Sequence, residues 1–195
     1  MKRKRKTPIL GVDLGGVVID NDAIDQRTGI RYPKHNPDIP EVEGAGETLR
    51  HICFHAVPVF IITSGRPDVD EKRRKWLNQP RYWGDSFYEH TGIPYWNVRF
   101  CEERKKKLAW CAHEQVTHFI DNRADVLASL IGTVPYLYLF GPKPLLTGAT
   151  EEQLAEFQRA ESWRQLLPLL LDDIGAYRER LRNEKRRVYG LSDAE

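Results

Sequence analysis

Short, continuous apolar runs that each break off at a small or charged residue constrain this chain more than any other feature. Residues 57–63 (VPVFIIT) are the clearest case. Apolar on both faces and too short for an ordinary helix, the run reads as a strand buried inside a parallel sheet. Residues 7–14 read the same way through Ile9, Leu10 and Val12, with Gly15-Gly16 as the stop. Residues 117–120 and 134–140 (VPYLYLF) give two more strands, and 98–101 a shorter one. Helical patterns fall between them. Residues 44–55 carry Leu49, Ile52 and Cys53, 68–77 are charged, and 105–115 turn Leu108 and Cys111 inward. Further helices are predicted over 124–131, over 151–171 with Trp163 as an anchor, and over a basic 172–189. Strands alternating with helices imply βα units and a mostly parallel α/β sheet, whose ligands collect outside the carboxyl ends of the strands.

A length of 195 residues with 41% hydrophobic composition supports one principal domain with a real core. No apolar stretch is long enough to cross a bilayer, and none follows the basic start as a signal peptide would, so no membrane partner is expected. Cys53, Cys101 and Cys111 lack metal-ligand spacing and read as free thiols of a reducing cytoplasm. Lys2 to Lys6 supply five of the 30 basic residues; without them 25 face 28 acidic ones, so the body is mildly acidic. The expected organisation is a disordered basic tail (1–7), an α/β domain (8–171) and a basic C-terminal helix and tail (172–195). Residues 20–43, rich in Asp, Asn and Pro, read as a long loop or flap.

The polar residues that end the strands form a consistent set. The first run ends in Asp13, the second in Thr63-Ser64-Gly65-Arg66, and a later one in Asp121-Asn122-Arg123-Ala124-Asp125. Lys105, Lys106 and Lys107 open the helix before that last strand. Two carboxylates, a hydroxyl and an ammonium at one sheet edge suit phosphoryl transfer. The carboxylates would hold Mg²⁺, the hydroxyl and lysine would orient phosphoryl oxygens, and a carboxylate would attack phosphorus. His113, His118, Arg123 and Trp110 read as packing or surface residues.

On these residues the chain resembles the haloacid dehalogenase-like superfamily, whose signature is four short motifs at strand ends. VDLGGVV (12–18), TSGR (63–66), the lysine of ERKKKLAW (103–110) and THFIDNRADVL (117–127) match them in order. The resemblance implies a three-layer, Rossmann-like α/β fold and a Mg²⁺-dependent phosphatase acting on a phosphorylated small molecule. It implies Asp13 as nucleophile and metal ligand, the Gly15 carbonyl and Asp121 as further metal ligands, and Asp125 as a fourth metal-site residue, holding the metal or its waters. Ser64, with Thr63 and Gly65, would hold the phosphoryl group. Lys107 is the motif lysine, with Lys105 in reserve. The gaps of roughly 50 and 43 residues between the motifs leave no room for a full cap domain.

One position departs from the pattern. Phosphatases of this superfamily usually carry a second aspartate, a general acid–base, two residues after the nucleophile; here Gly15 stands there. Asp20 and Asp22 are candidate substitutes. A leaving group that needs no proton is the second account. A site that binds phosphate or nucleotide without turning it over is the third. The basic tails add a further alternative, a nucleic-acid end-processing phosphatase.

Overall fold

A computed structural model describes residues 7–33 and 36–189; residues 1–6 of the expected basic tail and 190–195 lie outside the described residues. β1 (Leu10–Val12) is the central strand of a six-stranded sheet. It leads through a flap carrying β2 (Ile24–Asp25) and β3 (Ile30–Arg31) into α1 (Ala45–Phe54) and β4 (Val59–Ser64). Then come α2 (Pro67–Asn78), α3 (Phe87–Thr91), β5 (Val98–Cys101), α4 (Lys106–His113), β6 (His118–Asp121), α5 (Ala124–Leu130) and β7 (Tyr136–Phe140). The chain closes with α6 (Glu151–Ala155), β8 (Gln158–Ala160) and α7 (Trp163–Tyr189). The order is β5-β4-β1-β6-β7-β8, and every pairing within the sheet is parallel. The direction of winding reverses at β1. In an open α/β sheet that reversal opens the crevice where ligands bind.

The two faces are covered differently. Leu49, Ile52, Trp76, Phe87, Trp163 and Leu166 from α1, α2, α3 and α7 pack with Val12, Ile61 and Ile120. On the other face Cys111 of α4 and Leu127 and Leu130 of α5 pack with Ile62, Phe119 and Leu139. Residues alternate in direction along a strand, so neighbours on β1, β4 and β6 are sorted strictly between these two layers. That sorting places the polar residues at the strand ends.

The structure differs from the sequence reading in three places. The flap is not one long loop: β2 and β3 form a small antiparallel hairpin. Its return limb is fastened to the end of α2, where Trp76 Nε1 donates to the Ile39 carbonyl at 2.7 Å and Gln79 Nε2 to the Pro37 carbonyl at 2.6 Å. Residues 151–171 are not one helix but the capped turn α6, the edge strand β8 and the start of α7. Thr150 and Gln153 form the capping box that starts α6. The expected break at 171–172 is absent, because α7 runs unbroken from Trp163 past Pro168 to Tyr189. Pro168 lies within the second turn. Among the described residues no helix is long and apolar enough to cross a membrane, and Cys53 and Cys101 are free thiols.

Candidate active site

Val12 pairs with Ile61 on one side and Ile120 on the other, so the next residue, Asp13, stands abreast of Ile62 and Asp121. Asp13 and Asp121 therefore project from adjacent strand ends onto the α4 side of the sheet. Lys107, in the first turn of α4 and one helical turn before the buried Cys111, covers them both. Its Nζ lies 2.7 Å from Asp13 Oδ1 and 2.7 Å from Asp121 Oδ2. All three side chains are buried. Lys105 and Lys106 instead point outward to Glu103 and Glu102. Of the three lysines, the site takes Lys107.

One ammonium thus faces two carboxylates away from water. Burial alone would raise the Asp13 carboxyl, but Lys107 and the Arg73 guanidinium outweigh it and hold the group below its ordinary value. Burial and the charge of Asp13 push Asp121 up. Burial opposes the charge on Lys107, yet Asp121 and Asp13 prevail and keep its ammonium well above the usual range.

The same register puts Thr63 and Ser64 on opposite faces of the sheet. Ile62 is abreast of Asp13, so Ser64, two residues on, faces the same way, while Thr63 points into the opposite layer. Ser64 lines an open cleft of about 540 Å³ together with Arg66, Lys105 and Asp125. The Thr63 hydroxyl is buried with no hydrogen-bond partner among the described residues. Gly65, expected beside the phosphate, gives its N–H to the Cys101 carbonyl at 3.0 Å. A Cβ there would meet Asp70 Oδ1 at 2.8 Å and Arg73 Nη1 at 3.1 Å, so Gly65 provides space rather than a donor.

Asp125 is not brought to the other carboxylates. Arg123 takes it in a two-point pair, Nε to Oδ1 and Nη2 to Oδ2, both at 3.0 Å. The residue after Asp121 does reach the loop after β1: a Cβ on Gly16 would lie 2.3 Å from Asn122 Nδ2. Gly16 also has φ 80°, a left-handed conformation that favours glycine. Trp163 Nε1 donates to the Val17 carbonyl at 2.9 Å and fixes the same loop from the α7 side. A second cleft, about 1090 Å³, passes Gly16, Asp20, Asn21, Asp22 and Asn122. Burial raises the Asp20 carboxyl there against the pull of Arg31, which also pairs with Asp22.

No family model and no curated protein matches the sequence. Solved structures do match the fold. The D,D-heptose 1,7-bisphosphate phosphatase from B. bronchiseptica, complexed with magnesium and phosphate, superposes with a TM-score of 0.56 at 11% identity, covering 86% of this chain and 99% of that one. The corresponding enzyme from Burkholderia thailandensis gives 0.51 at 10% identity over 85% and 99%. The cobalt-bound deoxy-D-mannose-octulosonate 8-phosphate phosphatase from Haemophilus influenzae gives 0.51 at 11% over 87% and 90%. At such identities what is shared is the fold alone, an α/β fold built on a parallel sheet.

Proposed function

We propose that this chain, which carries the haloacid dehalogenase-like fold, is a Mg²⁺-dependent phosphomonoester hydrolase working through a phosphorylated Asp13. The observation that supports this most directly is the pair Asp13 and Asp121, abreast on adjacent strand ends and buried on one ammonium. A purely structural buried pair would balance its charges. Here two carboxylates contact one ammonium, with the Arg73 guanidinium acting on Asp13 without a hydrogen bond to it, an arrangement of oxygen donors that could also take a divalent cation.

Among the described residues no three His, Cys, Asp or Glu side chains gather for a metal. Two carboxylates are instead what Mg²⁺ takes, since it keeps several waters and shares substrate phosphate. Asp13, Asp121 and the Gly15 carbonyl would hold it, with Asp125 left to Arg123. When bound, the ion supplies positive charge to the phosphoryl oxygens. The structures with magnesium and phosphate and with cobalt point in the same direction.

In this reading Asp13 attacks phosphorus with the carboxylate that Lys107 keeps ionised. The bond to the leaving oxygen breaks, and its electron pair departs with that oxygen. Ser64, with its hydroxyl on the same side as Asp13, orients the phosphoryl group, and Lys107 offsets its charge. Water then attacks phosphorus, the Asp13–phosphorus bond breaks, and the carboxylate is restored. The water's protons pass to phosphate and solvent.

The experiment is a hydrolysis screen of sugar phosphates, nucleotides and 5′- or 3′-phosphorylated DNA, with and without Mg²⁺. Release of phosphate only with Mg²⁺ is expected. Tight phosphate binding without release from any compound would favour the binding module that Gly15 brings to mind. A preference for DNA ends that collapses with salt would favour the basic face of α7 as a nucleic-acid contact.

A further inference from the structure

We propose that Arg73 takes over the leaving-group end of this site, and that the site therefore selects phosphates whose leaving group departs as an anion, such as aryl phosphates and phosphoric anhydrides. The proposal rests on the phosphatase reading above and adds a substrate class to it.

A Cβ built on Gly15 would lie 2.9 Å from Arg73 Nη2 and 3.1 Å from Asn21 Nδ2. The space into which a side chain two residues after Asp13 would project is thus filled by a guanidinium. Backbone conformation does not require glycine at this position. Gly15 lies outside the left-handed region, and it is Gly16 that adopts it. What a side chain at residue 15 would meet first is the tip of Arg73.

Arg73 is also held in place. Its Nη1 donates to the Ser64 carbonyl at 2.7 Å, which fixes the planar fork with its other edge turned across the site toward residue 15. Gly65 leaves space for it on the Ser64 side, within 3.1 Å of Nη1. The guanidinium is half-buried, and its charge reaches Asp13. One side chain therefore bonds to the end of β4 and lies against the loop after β1.

Chemistry then sets the preference. A guanidinium stays protonated at any ordinary pH and cannot serve as a general acid. It can donate hydrogen bonds to an oxygen that gains negative charge, an effect strongest where water is excluded. As the Asp13–phosphorus bond forms and the phosphorus–oxygen bond breaks, the electron pair stays on the leaving oxygen. That oxygen departs unprotonated against the Arg73 N–H groups. A phenolate or a phosphate survives in that form, whereas an alkoxide needs a proton.

The test is kcat/KM with Mg²⁺ for aryl phosphates running from nitrophenyl to methylphenyl, and for an alkyl phosphate, in wild type, Arg73→Lys, Arg73→Gln and Gly15→Ala. Arg73→Gln should lose about tenfold on nitrophenyl phosphate and about 10²–10³ on methylphenyl phosphate, because the more basic oxygen carries more charge at the transition state. The dependence on leaving-group pKa becomes steeper. Arg73→Lys should retain the shallower wild-type dependence. Gly15→Ala pushes the guanidinium tip aside without straining the backbone and should fall between. Should Arg73→Gln fail to fold, Gly15→Ala and Arg73→Lys make the same comparison.

An equal loss across the series in the variants would overturn the proposal and reduce Arg73 to a support for Ser64. So would an unchanged dependence in Arg73→Gln and Gly15→Ala, the two variants expected to steepen it, or an alkyl phosphate hydrolysed by wild type as fast as the aryl ones. Failure of the underlying reading has a different signature, visible in the wild type alone: no phosphate released from any compound, with or without Mg²⁺, which would overturn both.

Discussion

The ammonium of Lys107 lies 2.7 Å from Oδ1 of Asp13, a residue 94 positions earlier in the chain. The first turn of α4 brings it there, on the face of the sheet shared by Asp13 and Asp121. Lys107→Met would leave two buried carboxylates with no cation in contact and only the Arg73 guanidinium acting on Asp13. A loss of about 3–5 kcal/mol is expected, as when one partner of a buried pair is removed. Because a divalent cation would restore the missing charge, Mg²⁺ should raise the melting temperature of this variant more than that of wild type. Thermal unfolding of both proteins with and without Mg²⁺ is the check. Equal responses would separate Lys107 from the metal.

Metal choice follows from the ligands. Two carboxylates and a carbonyl are hard oxygen donors, so activity lost on exhaustive chelation should return with Mg²⁺. Ca²⁺, larger and looser in its geometry, should restore it poorly. Hydrolysis that survives chelation unchanged would remove the metal from the site.

A prediction about stability concerns His118, on the opposite layer of the sheet from Asp121's neighbours in α4. Its ring stacks on Tyr136 at 4.5 Å and 6°, and burial pushes its imidazole down to about 4. Between that value and the unfolded pKa near 6.5, the unfolded chain binds a proton that the folded one refuses. Stability should therefore fall with falling pH across this window, by about 1.4 kcal/mol per unit from this residue alone. Above the window the contribution vanishes. His118→Phe keeps the stack and removes the titration, so the difference between the two urea-denaturation profiles should show the slope. Parallel profiles would mean that the imidazole is protonated in the folded state.

The parts of this site that are legible in the sequence are those that interrupt a pattern. Asp13 and Asp121 stand out because a carboxylate at the end of an apolar strand has no packing use. Lys107 stands out because it opens the apolar side of its helix, four residues before Cys111. Arg73 does not stand out: in the run EKRRK nothing marks which cation turns inward, and only the packing of α2 against the strand ends decides it. Asp125 misleads for a related reason. It has the spacing of a second carboxylate, but Arg123, two residues away, claims it. β8 is invisible because an edge strand of three residues, QRA, has neither length nor alternation; its position comes from pairing with β7. α3 starts at the Ser86–Glu89 capping box, a local signal that the surrounding aromatics conceal.

In the proposed reaction Asp13 carries the phosphoryl group. Rapid mixing of the protein with radiolabelled aryl phosphate and Mg²⁺, followed by acid quench, tests it directly. Asp13→Asn serves as the control, because it removes the nucleophile at nearly constant volume. The expected result is a transient label on the protein, released by hydroxylamine as an acyl phosphate is and located by mass spectrometry on the peptide containing Asp13. Asp13→Asn should be folded, unlabelled and inactive. Steady turnover with no label at any quench time, together with an Asp13→Asn protein that keeps a tenth or more of wild-type activity, would contradict it.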